Sequence, residues 1–215
     1  MLEDIIAGLI EAFKKPLPGI EVQYKMAPYS RITRKQAHEL DKNPKLSATL
    51  ALLFEKDNTP HILLMLRNSY NGVHSSQVSF PGGRVEEYDR NFQETALREF
   101  SEETGMPSSD VQIIGKLTDV YIPPSRFLVY PFVGFSRKPT NFFPDSEEVA
   151  ELIEMPLQVL LDDATIEEKE IHIQSIDKKL NTPAFIYNDY VIWGATAMML
   201  SELKEMIKSC LRIIK

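Results

Sequence analysis

Three glutamates, Glu99, Glu102 and Glu103, are spaced i, i+3, i+4 in the run Arg98-Glu99-Phe100-Ser101-Glu102-Glu103. On a helix, residues at those spacings share a face, about 5–6 Å apart at Cβ. Carboxylates that close repel one another unless something neutralises them. A divalent cation does so, and an all-oxygen donor set suits Mg2+ or Mn2+. Arg98, four residues before Glu102, can pair with it and orient it. Acidic runs on helices are more often a solvated face, but two features weigh against that here. The glutamates sit in the C-terminal half of the expected helix, where the dipole disfavours negative charge. In addition, Gly82-Gly83 leads through a loop into this helix, so backbone can approach a metal or phosphate closely and Gly83 can offer its carbonyl as a further ligand. A sequence that tolerates such a local cost points to function.

The elements that must position these residues follow from periodicity. Ser47–Glu55 and His61–Arg67 read as strands joined by the turn Asp57-Asn58-Thr59-Pro60. Residues 68–91 lack helical periodicity and carry Gly72, Pro81, Gly82 and Gly83, a long specialised loop of the kind that often serves function. A helix is predicted over Phe92–Thr104, with Ala96, Leu97 and Phe100 as its apolar side and Gly105 and Pro107 ending it. Strands follow at Val111–Thr118, Phe127–Phe135 and Glu148–Glu154, then a short helix at Leu157–Leu161. Further strands are expected at Glu170–Ile176 and Ala184–Tyr187, and a long helix from about Ala195. Leu2, Ile5, Ile6, Leu9, Ile10 and Phe13 predict an N-terminal helix over residues 1–16, expected to pack on the main domain; a dimerisation or substrate-covering arm is the alternative. Residues 20–45 read as connecting structure. The expected organisation is an N-terminal helix and connecting segment over 1–44, then one catalytic domain over 45–215.

Gly83, Arg98, Glu99, Glu102, Glu103 and Gly105, with the apolar Met106, resemble the Nudix box: a glycine, a spaced helix, then Arg-Glu-x-x-Glu-Glu-x-Gly. The interval from Gly83 to Arg98 is one residue longer than in the commonest form, and Asp89 stands near where that form carries a glutamate. The resemblance implies an α/β fold, the Nudix-type α/β/α sandwich with a mixed sheet. It also implies metal-dependent hydrolysis of a diphosphate joined to another group. Leu63-Leu64-Met65-Leu66-Arg67 and His74 through Gly83 resemble the segment that precedes the box in coenzyme A diphosphatases. Pro131-Phe132-Val133-Gly134, Glu147-Glu148-Val149 with Met155-Pro156-Leu157, and Ile192 through Ala197 are similar to that subgroup as well. The resemblance covers about residues 45–205.

It implies that Glu99 and Glu103 hold Mg2+ or Mn2+, with Glu102 and Gly83 as further donors. Glu99, Glu102 and Glu148 are the catalytic carboxylates; Glu102 and Glu148 are the candidates for taking the proton from water. Arg67, Ser79, Phe80 and Gly82 are the expected substrate contacts, although a surface salt bridge is as good a reading of Arg67. Met65, Gly72 and Ser76 stand where the subgroup carries threonine, a basic residue and glycine. A substrate such as ADP-ribose, NADH or another nucleoside diphosphate derivative therefore stays open, as does a nucleotide-sensing module that does not cleave. His74, Trp193, Tyr121 and Phe127 are weaker candidates, with loop ordering or core packing the ordinary role for each.

Bulk properties bound the partners. The 215 residues are 43% hydrophobic and 26% charged, an ordinary globular composition. A net charge of −7 argues against a nucleic-acid binder. It does not exclude a phosphate-bearing small molecule, because a bound cation supplies local positive charge. Cys210 is the single cysteine, so no intramolecular disulfide forms. It falls in the helical stripe Leu203, Ile207, Cys210, Leu211, Ile214. No segment is long and apolar enough for a membrane span, and the N-terminus, interrupted by Glu3, Asp4 and Glu11, does not read as a signal peptide. The expected setting is cytoplasmic, with a nucleotide-containing small molecule as partner and a homodimer as one option.

Overall fold

Strand β1 (Lys45–Lys56) is an almost unbroken apolar run, as a strand covered on both faces requires. The computed structural model describes residues 1–28, 41–68, 77–138, 141–173 and 178–214. In it, Ala48, Leu50, Leu52 and Phe54 of β1 face one apolar cluster while Ala51 and Leu53 face another, the alternation that a strand imposes.

β1 turns into β2 (Thr59–Arg67) through Asp57 and Asn58, both at positive φ (50° and 59°). A two-residue turn of that geometry matches the right-handed twist of the paired strands. The tight pairing Lys56↔Thr59 follows from it. The loop after β2 contributes two short strands, β3 (Val78–Ser79) on β2 and β4 (Gly82–Arg84) on the first half of β1. Helix α3 (Phe92–Thr104) follows the N-terminal α1 (Leu2–Ala12) and the single turn α2 (Ile20–Gln23). Beyond it come β5 (Gln112–Lys116), β6 (Val120–Ile122) and β7 (Phe127–Phe135). β7 runs parallel to β1 along its whole length, with Lys45↔Phe127 through Leu53↔Phe135, and β5 and β6 pair antiparallel with β7. β8 (Val149–Pro156) returns to β2 and leads into the short helix α4 (Leu157–Leu161). The result is an eight-stranded mixed sheet. β9 (Ile166–Ile173), β10 (Lys178–Tyr187) and β11 (Tyr190–Ile192) form a separate antiparallel sheet, and α5 (Gly194–Ile214) closes the chain.

Helices cover both faces of the large sheet. Ala96 and Phe100 of α3 pack on Leu50, Leu52 and Leu63. On the other face, Leu2, Ile5, Ile6 and Leu9 of α1 join Leu203, Met206, Ile207 and Cys210 of α5 in one cluster with Leu53, Ile62 and Leu64. Each such buried side chain contributes about 1.5–3 kcal/mol. This is the α/β/α sandwich with a mixed sheet. The polar Glu202 of α5 is fully buried, and its carboxylate accepts from Gly19 N, Gln23 Nε2, Thr118 N and Thr118 Oγ1 at 2.7–3.0 Å. It ties the segment after α1 to the sheet.

Most predicted elements appear with modest shifts of their ends. The N-terminal helix stops at Ala12 rather than at Pro16. β6 and β11 were not expected; three-residue strands are too short to show a period. Cys210 is buried on α5 as its stripe implied, whereas the side chain of Ile214, at the end of that stripe, lies outside the described residues. Tyr121 donates its hydroxyl to Asp41 and Phe127 packs on the core, so both have structural partners. Among the described residues no helix is long and apolar enough to cross a membrane.

Candidate active site

Helix α3 begins and ends where its chemistry dictates. The Asn91 side chain accepts from Glu94 N at 3.0 Å, and Gly105 closes the last turn in the left-handed conformation, φ 70°. The packing of Ala96 and Phe100 on the sheet then sets the rotation of the helix. At about 100° per residue, Glu103 turns inward beside that apolar stripe, Glu99 lies at its edge and Glu102 turns out. Glu103 is 1% exposed, whereas the Glu102 side chain is 58% exposed. The three glutamates differ in setting: Glu103 is enclosed, Glu99 is partly buried and Glu102 is exposed, with Arg98 Nη1 bridging Glu99 and Glu102.

The Glu103 carboxylate is held by partners from two strands, β2 and β4. Its Oε2 accepts from the backbone N–H of Gly82 at 2.6 Å. Its Oε1 accepts from both Nη1 and Nη2 of Arg67, each at 3.1 Å, and Nη2 also donates to the Gly82 carbonyl at 3.0 Å. Burial pushes the Glu103 carboxyl up to about 8, against the pull of Arg67 and the Gly82 N–H, and Glu99 and Glu148 push it further the same way. Glu99 is also raised, first by burial and then by Glu102 and Glu148, with Arg98 opposing. Glu148 lies exposed in the turn before β8, 45 residues from Glu103 in the chain, and its charge bears on both Glu99 and Glu103.

Arg98 is the second organiser. Its Nε and Nη2 clamp Asp89 in a bidentate pair at 2.9 Å, its Nη1 donates to Glu99 and Glu102 at 2.9 Å, and its Nη2 donates to the Arg84 carbonyl at 3.0 Å. Arg98 holds Asp89 far below the usual carboxylate range. The Arg98–Glu102 pair expected from their i, i+4 spacing is present, but the clamp on Asp89 was not legible. Asp89 lies in a loop, where spacing carries no periodic signal.

The two glycines differ in what they permit. A Cβ on Gly83 would collide with the Glu99 carboxylate, so the missing side chain makes the room in which Glu99 sits. Gly82 has φ 150°, and a Cβ there would collide with the Ala48 carbonyl and the Thr49 Cα of β1. Gly82 thus serves the site through its backbone groups. Of the other expected substrate contacts, Phe80 is corrected: it is 1% exposed and belongs to the apolar cluster under α5, because alternation along β3 turns it away from Ser79. The Ser79 hydroxyl is buried and has no hydrogen-bond partner among the described residues. His74, Gly72 and Ser76 lie outside the described residues.

The donor set fits a hard divalent cation in type. Glu148 raises the cost of ionising Glu99 and Glu103, and Glu99 raises that of Glu103, which a cation would relieve. Among the described residues no three acidic, histidine or cysteine side chains are drawn into a closed metal cluster. The reason is visible in the contacts above: the oxygens of Glu103 are held by Arg67 and Gly82, and Arg98 holds Glu99 and Glu102.

The model of the NUDIX domain matches residues 44–174, more than half of the chain. The chain belongs to the Nudix family. A protein of Pectobacterium atrosepticum named uncharacterized Nudix hydrolase NudL is 37% identical over 149 residues, covering 67% of this chain and 74% of that one. A protein of the same name from Yersinia pestis is 34% identical over 148 residues, covering 69% and 73%. A crystal structure described as a MutT/nudix family protein from Enterococcus faecalis aligns at 13% identity with a TM-score of 0.47, over 91% of this chain and 75% of that one. The family assignment rests on the sequence matches. This Nudix chain is a hydrolase of a diphosphate-containing substrate.

Proposed function

We propose that this Nudix hydrolase cleaves the diphosphate linkage of coenzyme A or acyl-coenzyme A, releasing 3′,5′-ADP and (acyl-)4′-phosphopantetheine. The observation that carries the diphosphate chemistry is the placing of two helix carboxylates on the Gly82–Gly83 backbone, Glu99 against Gly83 and Glu103 on the Gly82 N–H. The choice of coenzyme A is supported by the similarity of residues 63–67, 74–83, 131–134 and 192–197 to the coenzyme A diphosphatase subgroup.

Glu99 and Glu103 are the residues that would hold Mg2+ or Mn2+, with Glu102 and the Gly83 carbonyl as further donors. Bound there, such an ion offsets diphosphate charge and lowers the pKa of a bound water. Glu148 is the favoured base. It is exposed and its charge bears on Glu99 and Glu103, whereas Glu102 is paired with Arg98. Water attacks one phosphorus, its proton passes to the Glu148 carboxylate, and the bridging P–O bond breaks toward the leaving phosphate. Arg67 holds Glu103 in place, and its guanidinium would be the group to meet a phosphate oxygen.

The test is a panel of coenzyme A, acetyl-coenzyme A, ADP-ribose, NADH and sugar nucleotides, incubated with Mg2+ or Mn2+ and resolved by chromatography. The expected products are 3′,5′-ADP and the phosphopantetheine. Cleavage of ADP-ribose or NADH with coenzyme A untouched would replace the substrate and keep the chemistry. Binding without turnover of any member would make the chain a sensor.

A further inference from the structure

Asn68 follows Arg67 at the end of β2 and grips the turn that carries Glu148. Its side-chain Nδ2 donates to the carbonyls of Ser146 at 2.8 Å and Glu147 at 2.9 Å, and its backbone N–H donates to the carbonyl of Glu148 at 3.1 Å. One residue thus holds three consecutive peptide carbonyls, 78 to 80 positions away in the chain.

The same turn is held from within. The Asp145 carbonyl accepts from Glu148 N at 3.2 Å and Val149 N at 2.8 Å, and the Asp145 carboxylate accepts from Glu147 N at 2.8 Å. Asp145 N donates in turn to the Glu103 carbonyl at 3.3 Å, and Phe143 N to the Thr104 carbonyl at 2.8 Å, which satisfies backbone groups left open at the end of α3. The β2–β8 ladder shifts register at this point: Leu66 opposes Glu151 and Arg67 opposes Val149, leaving Ala150 as an extra residue. Such bulges bend a strand and re-aim the side chains beside them. Here the strand leaves its ladder and passes over Asn68.

An amide suits this position for a definite reason. Its NH2 group carries two donors, which match two adjacent carbonyls. A serine offers one donor, and an aspartate would set acceptors against acceptors.

We infer that Asn68 is a positioning residue for Glu148, acting through the backbone of residues 146–148 without touching substrate. The inference rests on the reading of Glu148 as the base. A base must reach its proton within a narrow distance, and a displacement of about 1 Å can cost roughly 100-fold in rate. The clasp keeps an otherwise exposed turn from wandering by that amount.

The experiment measures kcat and KM for Asn68→Ala and Asn68→Asp, alone and with Glu148→Gln. It uses Mn2+ and coenzyme A, or whichever diphosphate of the panel is cleaved, and adds amide hydrogen exchange over residues 145–149. Asn68→Asp keeps the shape of the side chain without its donors and serves if Asn68→Ala disturbs folding. The expected result is a kcat lower by roughly 10- to 100-fold with KM little changed, faster exchange at Glu147 to Val149, and no further loss when Asn68→Ala is added to Glu148→Gln. Losses that multiply in the double variant, or full kcat in both Asn68 variants while Glu148→Gln is inactive, would overturn the role of Asn68 and leave Glu148 as the base. Full activity in Glu148→Gln would overturn the base and the role of Asn68 with it.

Discussion

Both terminal nitrogens of Arg67 reach a single oxygen of Glu103 at 3.1 Å, across 36 residues of chain, while the other oxygen is held by Gly82 N. The pair is nearly buried, with the Glu103 side chain 1% and the Arg67 side chain 21% exposed. Removing one member of a buried pair leaves the other uncompensated, at a cost of several kcal/mol that protonation of Glu103 partly relieves. Arg67→Gln is therefore expected to destabilise the cation-free protein by on the order of 2–3 kcal/mol. Adding Glu103→Gln should return part of that loss, because the buried carboxylate is gone. Thermal melts of the two single variants and the double variant check this; a double variant that melts below Arg67→Gln would contradict it.

Glu103 also predicts a pH dependence. Its carboxyl titrates near the ordinary 4.5 when unfolded and at about 8 in the fold, so the native state holds the proton more tightly. The stability from this group is complete below about 4.5 and is lost as pH rises through about 8. Between about pH 5 and pH 8.5, the melting temperature of cation-free protein should fall more steeply for wild type than for Glu103→Gln, which has no such proton to lose. Addition of Mg2+ or Mn2+ near neutral pH should release protons, seen as a heat of binding that varies with the ionisation enthalpy of the buffer. Parallel melting profiles for the two proteins would refute the assignment.

The adjacent glycines should respond differently to alanine. A Cβ on Gly83 meets the flexible end of Glu99, which can move aside. Gly83→Ala should melt close to wild type yet lose at least about tenfold in kcat/KM through a displaced carboxylate. A Cβ on Gly82 meets backbone of β1, and its φ of 150° disfavours any side chain. Gly82→Ala should lower the yield of folded protein or its melting temperature. Circular dichroism melts beside kinetic constants separate the two outcomes, and equal melts would show that the collisions are absorbed alike.

The carboxylates should rank by their surroundings. Glu103→Gln should abolish turnover without loss of fold, and Glu148→Gln should lower kcat by roughly 10²- to 10⁴-fold, the range for loss of a general base. Glu102, outward-facing and paired with Arg98, should matter least, with Glu102→Gln losing less than about tenfold. Steady-state rates with Mn2+ decide the order. A larger loss in Glu102→Gln than in Glu148→Gln would move the base to Glu102.

Much of this protein was legible in its residues because the signals are local. Asn91 and Gly105 bracket α3, Asp57-Asn58 makes the hairpin, and the alternation in β1 places one sheet between two helical layers. The run from Arg98 to Glu103 and the glycine before it carried the family and the expectation of metal-dependent chemistry, since a motif depends only on order along the chain. Tertiary packing decided which glutamate is buried, because the rotation of α3 is set by Ala96 and Phe100 against the sheet rather than by the spacing of its acids. It sent Phe80 to the core, turned Arg67 onto Glu103, and closed Asp89 on Arg98. It also brought Asn68, after the end of β2, and Glu148, before the start of β8, together at one end of the antiparallel ladder. Those relationships join residues from 9 to 80 positions apart, between loops and strand ends. No period links such positions in sequence, and only the folded sheet and its bulge fix the distances between them.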